Sequence, residues 1–177
     1  MYPVYHRWLI LSSILWYYLC MDKMPITRLK LHGKYGVGKY ALVDGDYDGE
    51  YFSQFHWYVN AGGYVVRTDG EGGYFYLHRE VSKPPDGLWV DHADRDKLNN
   101  RSCNLRWCTI SQSAANRGIK QTKHGYKGIF KMGNKYYTHF DGKTVAGSGS
   151  TSKEVAAKKY DDMARNKFGD FATLNFE

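Results

Sequence analysis

Residues 90–109, VDHADRDKLNNRSCNLRWCT, fit neither of the two periods that regular structure imposes on a chain. A strand with one buried face alternates apolar and polar residues, and an amphipathic helix repeats its apolar positions about every 3.6 residues. This segment instead sets Asp91 beside His92 and follows them with Asn99, Asn100 and Asn104, with few apolar side chains between. Such a run is a solvated loop or a site. Whatever fold the chain adopts must carry this irregular polar stretch in its middle.

The flanking text is more regular. From Lys39 to Val81 an apolar run, an acidic Gly-rich turn, an aromatic run, Gly62-Gly63 and a β-branched run follow one another. Glycine pairs between aromatic and β-branched runs signal hairpins. Tyr74, Tyr76 and His78 alternate with Phe75 and Leu77, which is strand periodicity. Pro84-Pro85-Asp86-Gly87 breaks the chain, and a helix is expected from about Ile110 to Arg117, stopped by Gly118. Residues 118–125, GIKQTKHG, read as a linker.

Beyond it, YKGIFKM and KYYTHF read as strands joined at Gly133-Asn134, with a turn at Asp141-Gly142 and a third strand in KTVAG. Thr151 and Glu154 have capping-box spacing, and Ala156, Tyr160, Met163, Ala164 and Lys167 share one helical face. A three-stranded sheet crossed by one helix is the natural way to bury that face.

At 177 residues the chain has room for one ordinary domain or two small ones. Its formal charge of +7 is unevenly spread: residues 1–116 carry 13 Lys and Arg against 12 Asp and Glu, residues 117–177 carry 12 against 6. A basic C-terminal third suggests a polyanionic partner, nucleic acid being the commonest, although surplus lysine also simply keeps a small protein soluble. Cys20, Cys103 and Cys108 make neither a disulfide framework nor a zinc spacing, and fit a reducing cytoplasm. Residues 8–20, WLILSSILWYYLC, are short for a bilayer span, which needs about 20 residues, and no small-x-small cleavage site follows them. A buried apolar arm and a start at Met21 or Met24 are the favoured readings; a membrane tether is the weaker rival.

The chemistry of the central segment is specific. Asp91 is a hard oxygen ligand suited to Mg²⁺, His92 a general base of the type that can be neutral near pH 7, and Asn104 both donates and accepts, so it can tie a loop to itself. A metal, a base and a pinned loop suffice to hydrolyse a phosphodiester. The ordered string Val90-Asp91-His92, Asp94 to Lys97, Asn99-Asn100-Arg101, Asn104-Leu105-Arg106 and Thr109 resembles the HNH endonucleases, in particular the phage and intron-borne homing type. YLHREV and YALVDGDYDGEYFSQFHWYV look like the same group's N-terminal hairpins.

The resemblance implies that His92 activates water, that Asp91 holds one divalent cation (Mg²⁺, or another such as Mn²⁺), and that Asn104 braces the loop. The family places a second ligand, Asn or His, four residues after the Thr, where this chain has Ser113; Asn116 matches a second frequent Asn and is the candidate replacement. His78, Arg79, Arg101 and Arg106 are the expected DNA contacts of this part, with His78 equally readable as strand packing.

Residues 126–176 resemble the plant ethylene-response-factor (Apetala-type) DNA-binding domain through YKGI, Gly142-Lys143, Ala156-Ala157, Tyr160-Asp161, Ala164, Gly169, Ala172 and Asn175-Phe176. By that resemblance a sheet face lies in the major groove, with Lys127, Lys131, Lys135, His139 and Lys143 as contacts. Lysine where arginine is usual implies modest sequence preference.

The expected fold is therefore α+β. N-terminal β-hairpins lead into a ββα-metal (His-Me finger) core, and a three-stranded antiparallel sheet packed on one helix follows. The expected boundaries are 1–23, an apolar extension; 24–117, the nuclease; 118–125, the linker; and 126–177, the DNA-binding module. The expected activity is metal-dependent nicking of double-stranded DNA by a monomer or weak dimer, with no small-molecule substrate and no membrane, in the cytoplasm of a bacterial host if the chain is of phage origin. The alternative is a DNA-binding or regulatory protein whose centre has decayed through Ser113.

Overall fold

The computed structural model describes residues 25–45, 47–118 and 123–176. The apolar run 8–20, and residues 119–122 of the expected linker, lie outside them. The chain divides into two compact units, one reaching to Lys83 and including Asp96–Arg106, the other made of Pro84–Arg95 and the chain from Trp107 onward. The fold is mixed α+β.

The first unit is a five-stranded sheet in the order β2-β1-β3-β4-β5. Its strands are β1 (Ile26–His32), β2 (Tyr40–Asp44), β3 (Trp57–Val59), β4 (Val65–Thr68) and β5 (Tyr74–Tyr76). Neighbours pair antiparallel except β1 and β3, which run parallel with Leu31 opposite Trp57 and His32 opposite Tyr58. Strand β1 lies upstream of the stretch that reads as β-structure, yet it is central. Its Leu29 and Leu31 turn into a core with Ala41, Val43, Phe52, Trp57, Val59, Val65 and Leu77. The expected hairpin turns are present: Asn60 accepts from the Tyr64 amide at 3.0 Å with Gly63 at φ 81°, and Asp69 accepts from the amides of Glu71 and Gly73 at 2.8 Å each. Those amides hold the Asp69 carboxyl below the ordinary carboxylate range.

Two elements differ from the sequence reading. The acidic Gly-rich turn is a short helix, α1 (Tyr47–Phe52), which delivers Phe52 to the core. Gly49 makes this possible, because a Cβ there would strike the Thr27 side chain and the helix lies close against β1. The alternation at 74–78 stops at Tyr76, and Leu77–Ser82 form helix α2. Leu77 and His78 are consecutive and both buried, which a helix permits and a strand with one buried face does not.

In the second unit β6 (Trp89–His92) runs beside β7 (Leu105–Cys108), whose second half belongs here, and α3 (Ile110–Ala115) follows. Helix α3 ends before the expected Arg117, at Ala115, with Asn116 as its C-cap. A three-stranded antiparallel sheet, β8 (Ile129–Met132), β9 (Lys135–Phe140) and a short β10 (Lys143–Thr144), is covered by α4 (Lys153–Phe168), as expected.

The N-cap of α4 is Ser152 rather than Thr151: its Oγ accepts from the Val155 amide at 3.3 Å and donates to Glu154 at 2.8 Å. The face α4 buries is Ala156, Ala157, Tyr160, Asp161 and Ala164; Met163 is half-buried and Lys167 exposed. Small residues let the helix sit close to β9, where the buried Thr138 hydroxyl donates to the Ala156 carbonyl at 2.8 Å. No helix among the described residues is long and apolar enough to cross a membrane.

Candidate active site

Strand β6 presents Val90, Asp91 and His92 in succession, and all three are buried, at 7, 8 and 4 % exposure. Three buried neighbours mean that both faces of the strand are covered. One side chain connects two of them. The Asn116 Nδ2 donates to the Asp91 carboxylate at 2.9 Å and to the His92 main-chain carbonyl at 2.8 Å. A carbonyl only accepts, so the amide nitrogen must point this way and Oδ1 is the atom left to accept. The same His92 carbonyl accepts from the Arg95 amide at 2.9 Å, where the chain turns with Arg95 at φ 68°.

Asn116 is placed by the caps of a short helix. Thr109 and Gln112 form a capping box, with the Thr109 hydroxyl accepting from the Gln112 amide at 3.2 Å and the Thr109 amide donating to Gln112 at 2.8 Å. At the other end the carbonyls of Ala115 and Asn116 accept from the amide and hydroxyl of Thr173, at 3.2 and 3.0 Å. Lys127 closes the same end, its Nζ donating to the carbonyls of Ala115 and Arg117 at 2.7 and 3.0 Å. Lys127 is in turn bridged through Asn175 to the buried Asp161 of α4. A six-residue helix would fray alone; this one is tied down by the tail.

The asparagines of the polar run turn inward on their own backbone in the first unit. Asn104 Nδ2 donates to the Asn99 carbonyl at 2.7 Å and Asn100 Nδ2 to that of Lys97 at 3.2 Å. Asn100 is fully buried. The loop joins the sheet edge, since Leu42 donates to the Leu98 carbonyl and accepts from the Asn100 amide, each at 2.8 Å. Buried Asp44 accepts from the amide and hydroxyl of Ser102, and pairs with Arg101 at 3.5 Å. Between β6 and β7 the segment lacks periodicity because polar side chains and one bridge to Leu42, rather than a continuous ladder, satisfy its backbone.

Comparison with known proteins bears on this arrangement. The HNH endonuclease family profile matches residues 80–115, which contain Asp91, His92 and Asn104. An uncharacterized HNH endonuclease of Acanthamoeba polyphaga mimivirus is 34 % identical over 146 residues, spanning 79 % of this chain and 76 % of the relative. The chain belongs to the HNH endonuclease family. No solved structure matches it.

The other residues singled out in this HNH chain are divided between the two units. Ser113 lies in α3, half-buried, three positions before Asn116. His78 is buried in α2, its ring 5.3 Å from Tyr64 and 5.5 Å from Tyr76, while Arg79 beside it is exposed. Arg106 is half-buried in β7. Strand parity divides the C-terminal cations. Lys135 and His139 share the open face of the sheet with Phe130 and Tyr137, whose rings stack at 5.6 Å; Lys131 and Lys143 share Thr138's side, toward α4, where both are exposed.

Lys127 is half-buried with two donors committed to carbonyls. Burial, reinforced by repulsion from Arg95 and Arg117, holds its ammonium below the ordinary lysine value. Sequence reasoning passed over Arg95 and Arg117. Both are exposed and near enough to Lys127 to repel it, which makes this end of α3 basic. The signal available was their place, three residues after His92 and one after Asn116.

Proposed function

We propose that the chain is a divalent-metal-dependent DNA endonuclease of the homing type, which nicks duplex DNA at a centre built on Asp91 and His92. The observation that carries this reading is the single Asn116 amide shared between the Asp91 carboxylate and the His92 main chain. It orients the Asp91 carboxylate and pins the backbone that carries His92, and family membership supplies the reaction class.

The donor set suits a hard cation. Among the described residues no three of His, Cys, Asp and Glu gather as a metal cage. One carboxylate sharing its ion with phosphate and water is how Mg²⁺ is commonly held. Asp91 would be the principal ligand, with Asn116 Oδ1 and the Ser113 hydroxyl as the further candidates. The cation's contribution when bound is to neutralise charge on the phosphorane and on the leaving oxygen.

His92 takes the proton of the attacking water as its oxygen bonds to phosphorus. The bond from phosphorus to the 3′ oxygen breaks, and that oxygen acquires a proton from solvent. Asn104 braces the loop after β6 through Asn99. Arg95 and Arg117 contact flanking phosphates, while Lys135 and His139, on the open C-terminal sheet face, set the register on duplex DNA.

Supercoiled plasmid incubated with Mg²⁺, Mn²⁺ or chelator, beside His92→Ala, tests the reading. Open circles that form only with metal and vanish in the variant are expected. Salt-sensitive binding without nicking in either metal would instead favour a binding protein with a decayed centre, for which the hydroxyl at position 113 is the motivating observation.

A further inference from the structure

The near-neutral charge of the first 116 residues conceals a segregated surface. Residues 25–43 contain Arg28, Lys30, Lys34 and Lys39 and no carboxylate. In the structure this stretch is the β1–β2 hairpin. Leu29 and Leu31 point into the core, so Arg28 and Lys30 stand on the opposite face, both exposed. The register adds aromatic rings to the same face. Tyr40 is directly opposite Lys30, and Tyr58 directly opposite His32, with the His32 and Tyr58 rings 6.1 Å apart. Tyr40 and Tyr58 are 49 % and 38 % exposed, which leaves both rings open on this face.

His56 extends the row, its ring 5.3 Å from His32. Among the described residues no carboxylate pairs with Arg28, Lys30, Lys34 or Lys39. The unit's other described acids leave the row open: Asp48 and Glu50 are on α1, which sends Phe52 into the core, Glu80 pairs with Arg67 at 2.9 Å, Asp69 and Glu71 are in the β4–β5 turn, and Asp96 is in the loop after β6, where it caps the Leu98 amide. Asp44, opposite Ile26 on this face, is buried and committed to Ser102 and Arg101.

We infer that the outward face of β1, β2 and β3 is a further DNA-contacting surface, carried by the first unit. It takes the phosphates of duplex DNA on Arg28 and Lys30, with Tyr40 and Tyr58 packing against the sugar edges. Cations in a row with no acid among them match a polyanion, and interleaved rings give the strand something flat to lie on. The inference rests on the nuclease reading only in taking DNA as the partner.

The test is binding of the full chain to a labelled duplex in chelator, across salt, beside Arg28→Gln with Lys30→Gln. Each phosphate contact contributes about 0.9 to the slope of log affinity against log salt, so the variant's slope falls by about 1.8. Between 50 and 200 mM salt the native chain then loses roughly ten-fold more affinity than the variant. Acetylation footprinting of the native chain supplies a second reading, with Lys30 protected on DNA addition.

An unchanged slope, or Lys30 acetylated equally with and without DNA, overturns the surface while leaving the nuclease reading standing. Failure of the native chain to bind DNA at all overturns both. If the variant does not fold, the footprint alone decides.

Discussion

Replacing Asn116 with Asp separates two roles that the residue type alone does not distinguish. As a positioning group, Asn116 works through Nδ2, which reaches the Asp91 carboxylate at 2.9 Å and the His92 carbonyl at 2.8 Å. Aspartate has no such donor. The bond to the charged acceptor is worth about 1.5–3 kcal/mol and the bond to the neutral carbonyl about 0.5–1.5 kcal/mol. Losing both at a site where Asp91 and Asn116 are each 8 % exposed destabilises the fold by about 2–4 kcal/mol. The substitution also sets two carboxylates where a donor had joined one to the backbone. If the misplacement carries into the transition state at about 3 kcal/mol, nicking falls on the order of 10²-fold.

As a ligand working through Oδ1, the residue would behave in the opposite way. Aspartate keeps a hard oxygen in place, adds charge, and would sustain nicking at lower Mg²⁺. Urea unfolding, together with plasmid nicking over a range of Mg²⁺, reads both quantities. A variant that unfolds within about 0.5 kcal/mol of the native chain and nicks at the native rate refutes the positioning role.

Three further outcomes are expected. Ser113→Asn restores the amide usual at that position and raises the nicking rate on supercoiled plasmid; an equal or lower rate refutes the idea that position 113 limits the centre. Gly128→Ala destabilises the C-terminal unit by about 2–4 kcal/mol in thermal melting, because Gly128 sits at φ 72° and a Cβ would run into the Tyr160 ring; a melt like that of the native chain would contradict the packing described. Burial, with the Asp161 charge adding to it, pushes the Tyr160 phenol above its usual 10.0, so the unfolded chain ionises first and stability falls as pH rises past that value. Tyr160→Phe should flatten this decline in urea titrations, and an unchanged slope would exclude Tyr160 as its source.

Much of the local structure was legible because its causes are local. The hairpin turns at Gly62-Gly63 and Gly133-Asn134, the start of α3 at Ile110 and the C-terminal sheet with its helix follow from residue types within a few positions of one another. The Asp91-His92 pair and the asparagines after it were readable for the same reason. What misled was short periodicity. Five alternating residues at 74–78 cannot show that the chain will coil at Leu77, and DGDYDGEYF reads as a turn until Gly49 is seen against Thr27. The cap of α4 moved by one residue because Ser152, rather than Thr151, meets both the Val155 amide and Glu154.

The sequence by itself determined the family, the candidate acid and base, and the α+β character, since each depends on residue types in a fixed order along the chain. Only the tertiary structure decided what Asn116 and Lys127 touch. Asn116 reaches Asp91 across 25 positions because α3 is tied at both ends, and Lys127 spends its donors on carbonyls that its position in the sequence does not reveal. The tertiary structure likewise brought Arg28 and Lys30 onto one surface with Tyr40 and Tyr58. Strand pairing sorts side chains onto faces by parity and brings distant strands side by side, and neither is visible in a count of charges along the chain.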